Sequence, residues 1–233
     1  MHSLAKRHGD NLYPVQFSAQ FGPHSMDLDV PAGVWNSTPH GVHLGNLLAT
    51  LDFSGEHVLE IGTGCGVHAI VLARQGAAQL TLTEIEAPIL ENARHNLEKH
   101  GVETPTEYVV ADWVQIEGGP FDTLVTNPPF TKSGKRYRRY FIDTLILEAH
   151  KLLKPGGRLV FVQSSMADVP RSIRRMEECG MSIRILGQTD HEFREYYYED
   201  ESYLLEMAKF PGAYDLRDGK RYERLTAFEA RLP

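Results

Sequence analysis

Two short stretches carry residue types that can do chemistry. The first is Asn127-Pro128-Pro129-Phe130. An asparagine side-chain oxygen and the Pro128 carbonyl are two acceptors, and the prolines bring no N–H of their own. Fixed side by side, they can grip both hydrogens of an NH2 group and leave the nitrogen lone pair free to attack. Phe130 can stack on a planar substrate. The second stretch is Glu60-Ile61-Gly62-Thr63-Gly64-Cys65-Gly66. Its glycines let the backbone turn tightly and approach a ligand without a side chain in the way. Glu84 follows Gly62 by about 20 residues, the spacing of a strand-end acid that accepts from ribose hydroxyls.

These stretches need a frame that brings them together. Apolar runs at 57–61, 80–83, 108–110, 121–126, 159–162, 183–186 and 203–207 read as strands. Helical spacing falls between the earlier ones: Val67, Ile70 and Val71; Leu90, Ala93 and Leu97; Ile142, Leu145, Ile146 and Ala149. Pro88 suits a first helical turn, and Gly76 and Gly101 suit helix ends. Asp168 can cap a helix carrying Ile173 and Met176. Alternating strands and helices predict an α/β fold, a Rossmann-like, seven-stranded, mainly parallel sheet with helices on both faces and an antiparallel last strand. In such sheets ligands sit at the carboxyl ends of the strands, where the glycine turn, Glu84 and Asn127 all fall. The two prolines force the fourth strand to stop at Asn127. Residues 1–45 read as irregular apart from a helix beginning near His40, because Pro14, Pro23, Pro31 and Pro39 interrupt them. The predicted organisation is an N-terminal segment over the site (1–50), the main domain (51–210) and a C-terminal extension (211–233). The extension carries a hairpin-type Asp218-Gly219 and a stretch from Thr226 to Leu232 that suits a strand or a helix.

A pyrophosphate-binding dinucleotide site is the first alternative for the glycine turn. Glu60 argues against it, since a carboxylate two residues before the glycines repels phosphate but can organise a cationic ligand. The glycines are also spaced G-x-G-x-G rather than G-x-G-x-x-G. In this the chain resembles the class I methyltransferases over roughly residues 34–207, and Asn127-Pro128-Pro129-Phe130 resembles the N-P-P-[FY] motif of the amino-group methyltransferases. The segment Gly33-Val34-Trp35-Asn36-Ser37-Thr38-Pro39 resembles one found in the small-domain and release-factor methyltransferases.

The resemblance implies S-adenosylmethionine as cofactor, S-adenosylhomocysteine as product, and transfer to an amino or amide nitrogen. Glu60, Gly62, Thr63, Gly64 and Gly66 would hold the methionine part, Glu84 the ribose, and Ile85 the adenine face. Asp112 would accept from the adenine amino group, unless it is only a turn former, and Trp113 is either an adenine wall or core. Asn127, Pro128 and Phe130 would be the catalytic set, with Asn127 also beside the cofactor and Pro129 beside the substrate. Positioning and desolvation would supply most of the rate, with no dedicated general base and no metal. His40 with His43, and Cys65 with His68, read as solvated or packed rather than as a zinc site.

The substrate is less sharply drawn. Lys135, Arg136, Tyr137 and Arg139 belong to a basic segment at 132–139 that can meet a phosphate backbone, a carboxylate or an acidic protein surface, or is simply solvated. Tyr197 lies in a tyrosine-rich loop that either walls a pocket or packs a hairpin. Trp35 is either a lid or core. A formal charge of -7 excludes a wholly polyanion-binding surface. The reading is therefore a small-molecule or protein substrate, with an RNA or DNA base amino group as the alternative. A non-catalytic cofactor-binding protein is a further alternative, against which Asn127 and Glu84 argue. Two cysteines, no continuous apolar leader and no membrane-length window point to a cytoplasmic protein without a membrane partner.

Overall fold

The computed structural model describes residues 14–32, 34, 38–112, 116, 118–128, 139–199 and 201–233. The chain opens with an antiparallel hairpin, β1 (Val15–Phe21) and β2 (His24–Val30). The main sheet contains β3 (His57–Ile61), β4 (Gln79–Glu84), β5 (Thr106–Val110), β6 (Phe121–Thr126), β7 (Leu153–Ser164), β8 (Ser182–Glu192) and β10 (Lys220–Arg231). Their order is β5-β4-β3-β6-β7-β10-β8, and the short β9 (Asp215–Arg217) is added on β10. Only β10 runs against its neighbours in that seven-strand path. The predicted mainly parallel sheet with a reversed last strand is thus present.

Helices cover both faces. α1 (Pro39–Leu48), α2 (Val67–Arg74) and α3 (Ala87–Lys99) lie on one side with the hairpin. There Phe21, Leu28, Leu44, Leu48 and Ile70 share a core with Val58, Leu80, Val125 and Val160. α4 (Tyr140–Leu152) and α5 (Val169–Glu178) cover the other side, where Ile142, Ile146 and Met176 meet Leu59, Leu124 and Leu159. Val58 and Leu59, like Val160 and Leu159, point to opposite cores, as the two-residue period of a strand requires. The expected caps are in place: Asp168 accepts from the Arg171 N–H, and Pro88 lies in the first turn of α3.

Three expectations are corrected. Residues 203–207 are not a strand: they belong to α6 (Glu201–Met207). A short apolar run fits either period, and here Leu204 and Met207 pack on Met166, Phe193 and Tyr197 while Leu205 faces solvent. The reversed strand is instead β10; the 226–232 stretch, expected as strand or helix, is a strand within it, and Asp218-Gly219 turns β9 into it. The N-terminal stretch is likewise not wholly irregular. Pro14 precedes β1, Pro23 sits in the turn and Pro31 follows β2, so these prolines bracket strands rather than break them.

Candidate active site

Four strand ends meet at the carboxyl rim. Ile61 of β3 pairs with Thr83 of β4 on one side and with Thr126 of β6 on the other. The next residues, Glu84, Gly62 and Asn127, therefore leave adjacent strands side by side. Beyond them Val110 of β5 pairs with Glu84, and the Ala111 N–H donates to the Glu84 carbonyl at 2.9 Å, which brings Asp112 to the same rim.

The glycine turn is built from positive-φ positions: Gly62 at 70°, Gly64 at 57° and Gly66 at 82°. Among the described residues, a side chain at Gly62 or Gly64 would meet nothing within 4 Å. At Gly66 a Cβ would sit 2.8 Å from Leu97 Cδ1 and 3.2 Å from the Ala93 backbone, so there the turn rests directly on α3. The N–H groups of Gly62 and Thr63 both donate to the Thr83 carbonyl, at 3.0 and 3.1 Å.

Glu84 joins the turn to β4. Its Oε1 accepts from the Gly64 N–H at 2.9 Å and its Oε2 from the Ile85 N–H at 3.1 Å. Burial pushes this carboxyl above the ordinary carboxylate range, against the pull of those two N–H groups. Ile85 beside it is exposed, an apolar surface on the open side of the rim.

Glu60 is buried at the base of the turn, where Oε2 accepts from Thr63 Oγ1 at 2.7 Å and Oε1 lies 3.3 Å from His68 Nδ1. His68 Nε2 stands 2.8 Å from the Gly41 carbonyl, which can only accept, so that nitrogen carries the hydrogen. Glu60 thus braces the turn from below, and His68 carries the brace across to the start of α1. Sequence reasoning expected His68 to be solvated or packed; it is packed, 5% exposed, with both ring nitrogens near polar partners. His43 Nε2 is 3.2 Å from the Gly187 carbonyl, and His40 is buried 3.4 Å from Glu223. Among the described residues no cluster of three or more His, Cys, Asp or Glu is placed to hold a metal.

Asn127 is half-buried and Pro128 buried at the end of β6. Two of the expected substrate residues are engaged within the fold. The Arg139 guanidinium is engaged inside the fold: it donates to the carbonyls of Ala167 and Asp168, to Asp143 at 2.9 Å and to Ser172 Oγ at 2.8 Å. It fastens the start of α4 to α5. Tyr197 is 2% exposed, packs edge-on to Phe193, accepts from Arg194 at 2.8 Å and donates to Glu223 at 3.3 Å. It is packing, not an open pocket wall. Trp35, Trp113, Pro129, Phe130, Lys135, Arg136 and Tyr137 lie outside the described residues.

Comparison with known proteins matches residues 39–190 to the methyltransferase small domain. The release factor glutamine methyltransferase of Chlorobaculum tepidum is 33% identical over 129 residues, 45% of this chain and 44% of that protein. The ribosomal RNA small subunit methyltransferase C of Serratia proteamaculans is 33% identical over 150 residues, 63% of this chain and 42% of that protein. The aligned residues span less than half the length of either relative. Among solved structures, the T. thermophilus 16S rRNA N2 G1207 methyltransferase in complex with AdoMet and guanosine gives a TM-score of 0.65 at 19% identity, over 95% of this chain and 51% of that one. That likeness is one of fold. A family match over more than half the chain, on a sheet whose rim gathers the glycine turn, Glu84 and Asn127, means that this chain belongs to the methyltransferase small domain family.

Proposed function

We propose that this chain is an S-adenosylmethionine-dependent N-methyltransferase acting on an amino or amide nitrogen. The observation that carries the reading is the side-by-side exit of Glu84, Gly62 and Asn127 from adjacent strands. The residues fit the cofactor. Gly62 and Gly64 leave space among the described residues where side chains would stand, Glu84 offers a carboxylate for ribose hydroxyls, and exposed Ile85 offers an apolar face for adenine. Asp112 accepts from the adenine amino group, with Trp113 nearby in sequence. Thr63 and Gly66 complete the turn that receives the methionine part, with Glu60 acting through Thr63 rather than directly.

Bound there, S-adenosylmethionine supplies a sulfonium methyl that already carries its leaving group. The chain's own work is orientation. Asn127 Oδ1 and the Pro128 carbonyl accept the two N–H hydrogens of the substrate and turn the lone pair toward the glycine turn, while Pro129 and Phe130 hold the rest of the acceptor. Orientation of this kind supplies about 7–11 kcal/mol in well-aligned systems.

The preferred acceptor is a protein side chain or a small molecule. Supporting this, four described cations toward the carboxyl rim are paired with carboxylates: Arg217 and Arg224 with Asp190, Lys220 with Glu192, and Arg139 with Asp143. A nucleic-acid base is the second reading, favoured by the basic 132–139 segment and by the share of the chain that matches the ribosomal RNA enzyme.

Methyl-labelled S-adenosylmethionine, incubated with fractionated lysate, tests the choice. Label in protein or small metabolites is expected, and label confined to RNA or DNA transfers the conclusion to the second reading. Asn127→Ala should abolish transfer while S-adenosylhomocysteine still stabilises the protein, by about 2.7 kcal/mol at a hundredfold its Kd. No thermal shift of the wild type at saturating ligand removes the cofactor assignment.

A further inference from the structure

α3 buries two asparagines on the face where its spacing calls for apolar residues. Asn92 and Asn96 are one turn apart, and Asn96 has no exposed surface. Asn96 Oδ1 accepts from the Asp29 N–H at 2.9 Å. Its Nδ2 donates to the Asp29 carbonyl and to the Cys65 carbonyl, each at 2.9 Å. Asn92 Nδ2 donates to the same Asp29 carbonyl at 2.9 Å. One side-chain amide therefore joins α3, strand β2 and the glycine turn.

The geometry leaves the amide little freedom. Its one oxygen and two N–H groups point in three fixed directions in a plane, and all three are used. Buried there, a lost bond is not replaced by water. The Cys65 carbonyl belongs to the peptide joining Cys65 to Gly66, so holding that oxygen sets this peptide's plane. Its neighbours Gly64 and Gly66 are left-handed glycines, whose backbones are otherwise the freest in the chain.

We propose that Asn96 is a positioning residue for cofactor binding: its amide holds the 62–66 turn in its receiving shape and ties that turn to the N-terminal hairpin. This rests on the cofactor reading above. A turn preset in this way binds without first being ordered, and affinity falls in proportion to the fraction of molecules in which the turn is competent.

The test compares variants that share the hairpin contact but differ at the turn. Asn92→Ala removes one bond to Asp29 and should lower Tm while leaving the Kd for S-adenosylhomocysteine within about twofold. Asn96→Ala, and the isosteric Asn96→Asp, which keeps the acceptor and loses both donors, should raise that Kd about tenfold or more. A folded Asn96 variant that binds like the wild type overturns the proposal. The wild type offers a check that no folding defect can confound: saturating S-adenosylhomocysteine should shift the side-chain amide resonances of Asn96 and leave those of Asn92 in place. Unmoved Asn96 resonances overturn the proposal alone, whereas a wild type that binds no ligand overturns the cofactor reading and this proposal together.

Discussion

Thr126 Oγ1 donates to the Ile61 carbonyl at 2.9 Å, fastening β6 to β3 at the last residue of each strand. The residues that follow are Asn127 and Gly62, so this one bond stands at the root of both halves of the site. Thr126→Val keeps the volume and removes the donor. It should cost about 1–3 kcal/mol in denaturant unfolding. Because the bond sets the spacing between the two halves, methyl transfer should fall further than S-adenosylhomocysteine affinity. Equal losses in both would mean that the bond serves stability alone.

At the opposite end of the sheet, Arg158 is buried among Glu229 at 3.2 Å, Glu56 at 2.8 Å and Thr123 Oγ1 at 2.8 Å, and lies over the Phe53 ring at 4.6 Å. Without Arg158, Glu229 keeps Arg184 at 3.1 Å and Arg231 at 3.2 Å, while Glu56 loses its arginine. Arg158→Ala is expected to lose about 1.5–3 kcal/mol, the scale of hydrogen bonds to charged groups, measured by chemical denaturation, with S-adenosylhomocysteine affinity unchanged in the protein that remains folded.

Glu223 predicts a pH dependence. Burial pushes its carboxyl up, but hydrogen bonding from His40 and Ser164, with the charge of Arg194 nearby, outweighs burial and holds it below the usual carboxylate range. A depressed carboxyl stabilises the fold fully above its unfolded value, about 4.3, and loses that contribution as pH falls through its folded value. The stability gap between wild type and Glu223→Gln should therefore be widest near neutral pH and narrow on acidification. A gap that widens in acid would contradict the assignment.

The two thiols should behave differently. Burial pushes the Cys65 thiol up to about 11, whereas Cys179 is half-buried. The thiolate is the reactive form, so a disulfide reagent at mildly alkaline pH should label Cys179 in the native protein and Cys65 only after denaturation. Prompt native labelling of Cys65 would show that the turn opens far more readily than its bonds to Glu84 and Asn96 allow.

The glycine turn, Glu84 and the end of β6 were legible because each is written in local chemistry. Positive-φ glycines, a strand-end acid and a pair of prolines mean much the same in any context. What could not be read depends on partners distant in sequence. Glu60 looks the same in sequence whether it faces a ligand or Thr63 and His68. Arg139 sits in a basic run, yet its partners come from α4 and α5. The run at 203–207 fits strand or helix, and only its packing on Phe193 and Tyr197 decides. β1 and β2 were the avoidable miss, since Phe17, Ala19 and Phe21, and then Met26, Leu28 and Val30, alternate as strands do. Asn92 and Asn96 also left a signal: two amides four apart on a helix face otherwise meant for the core.

The position of β10 between β7 and β8 makes one end of the sheet depend on a segment distant in sequence from both neighbours. Among the described residues β8 pairs in the sheet with β10 alone, so losing Lys220–Arg231 would strip Ser182–Glu192 of its partner and open the edge of β7 at once.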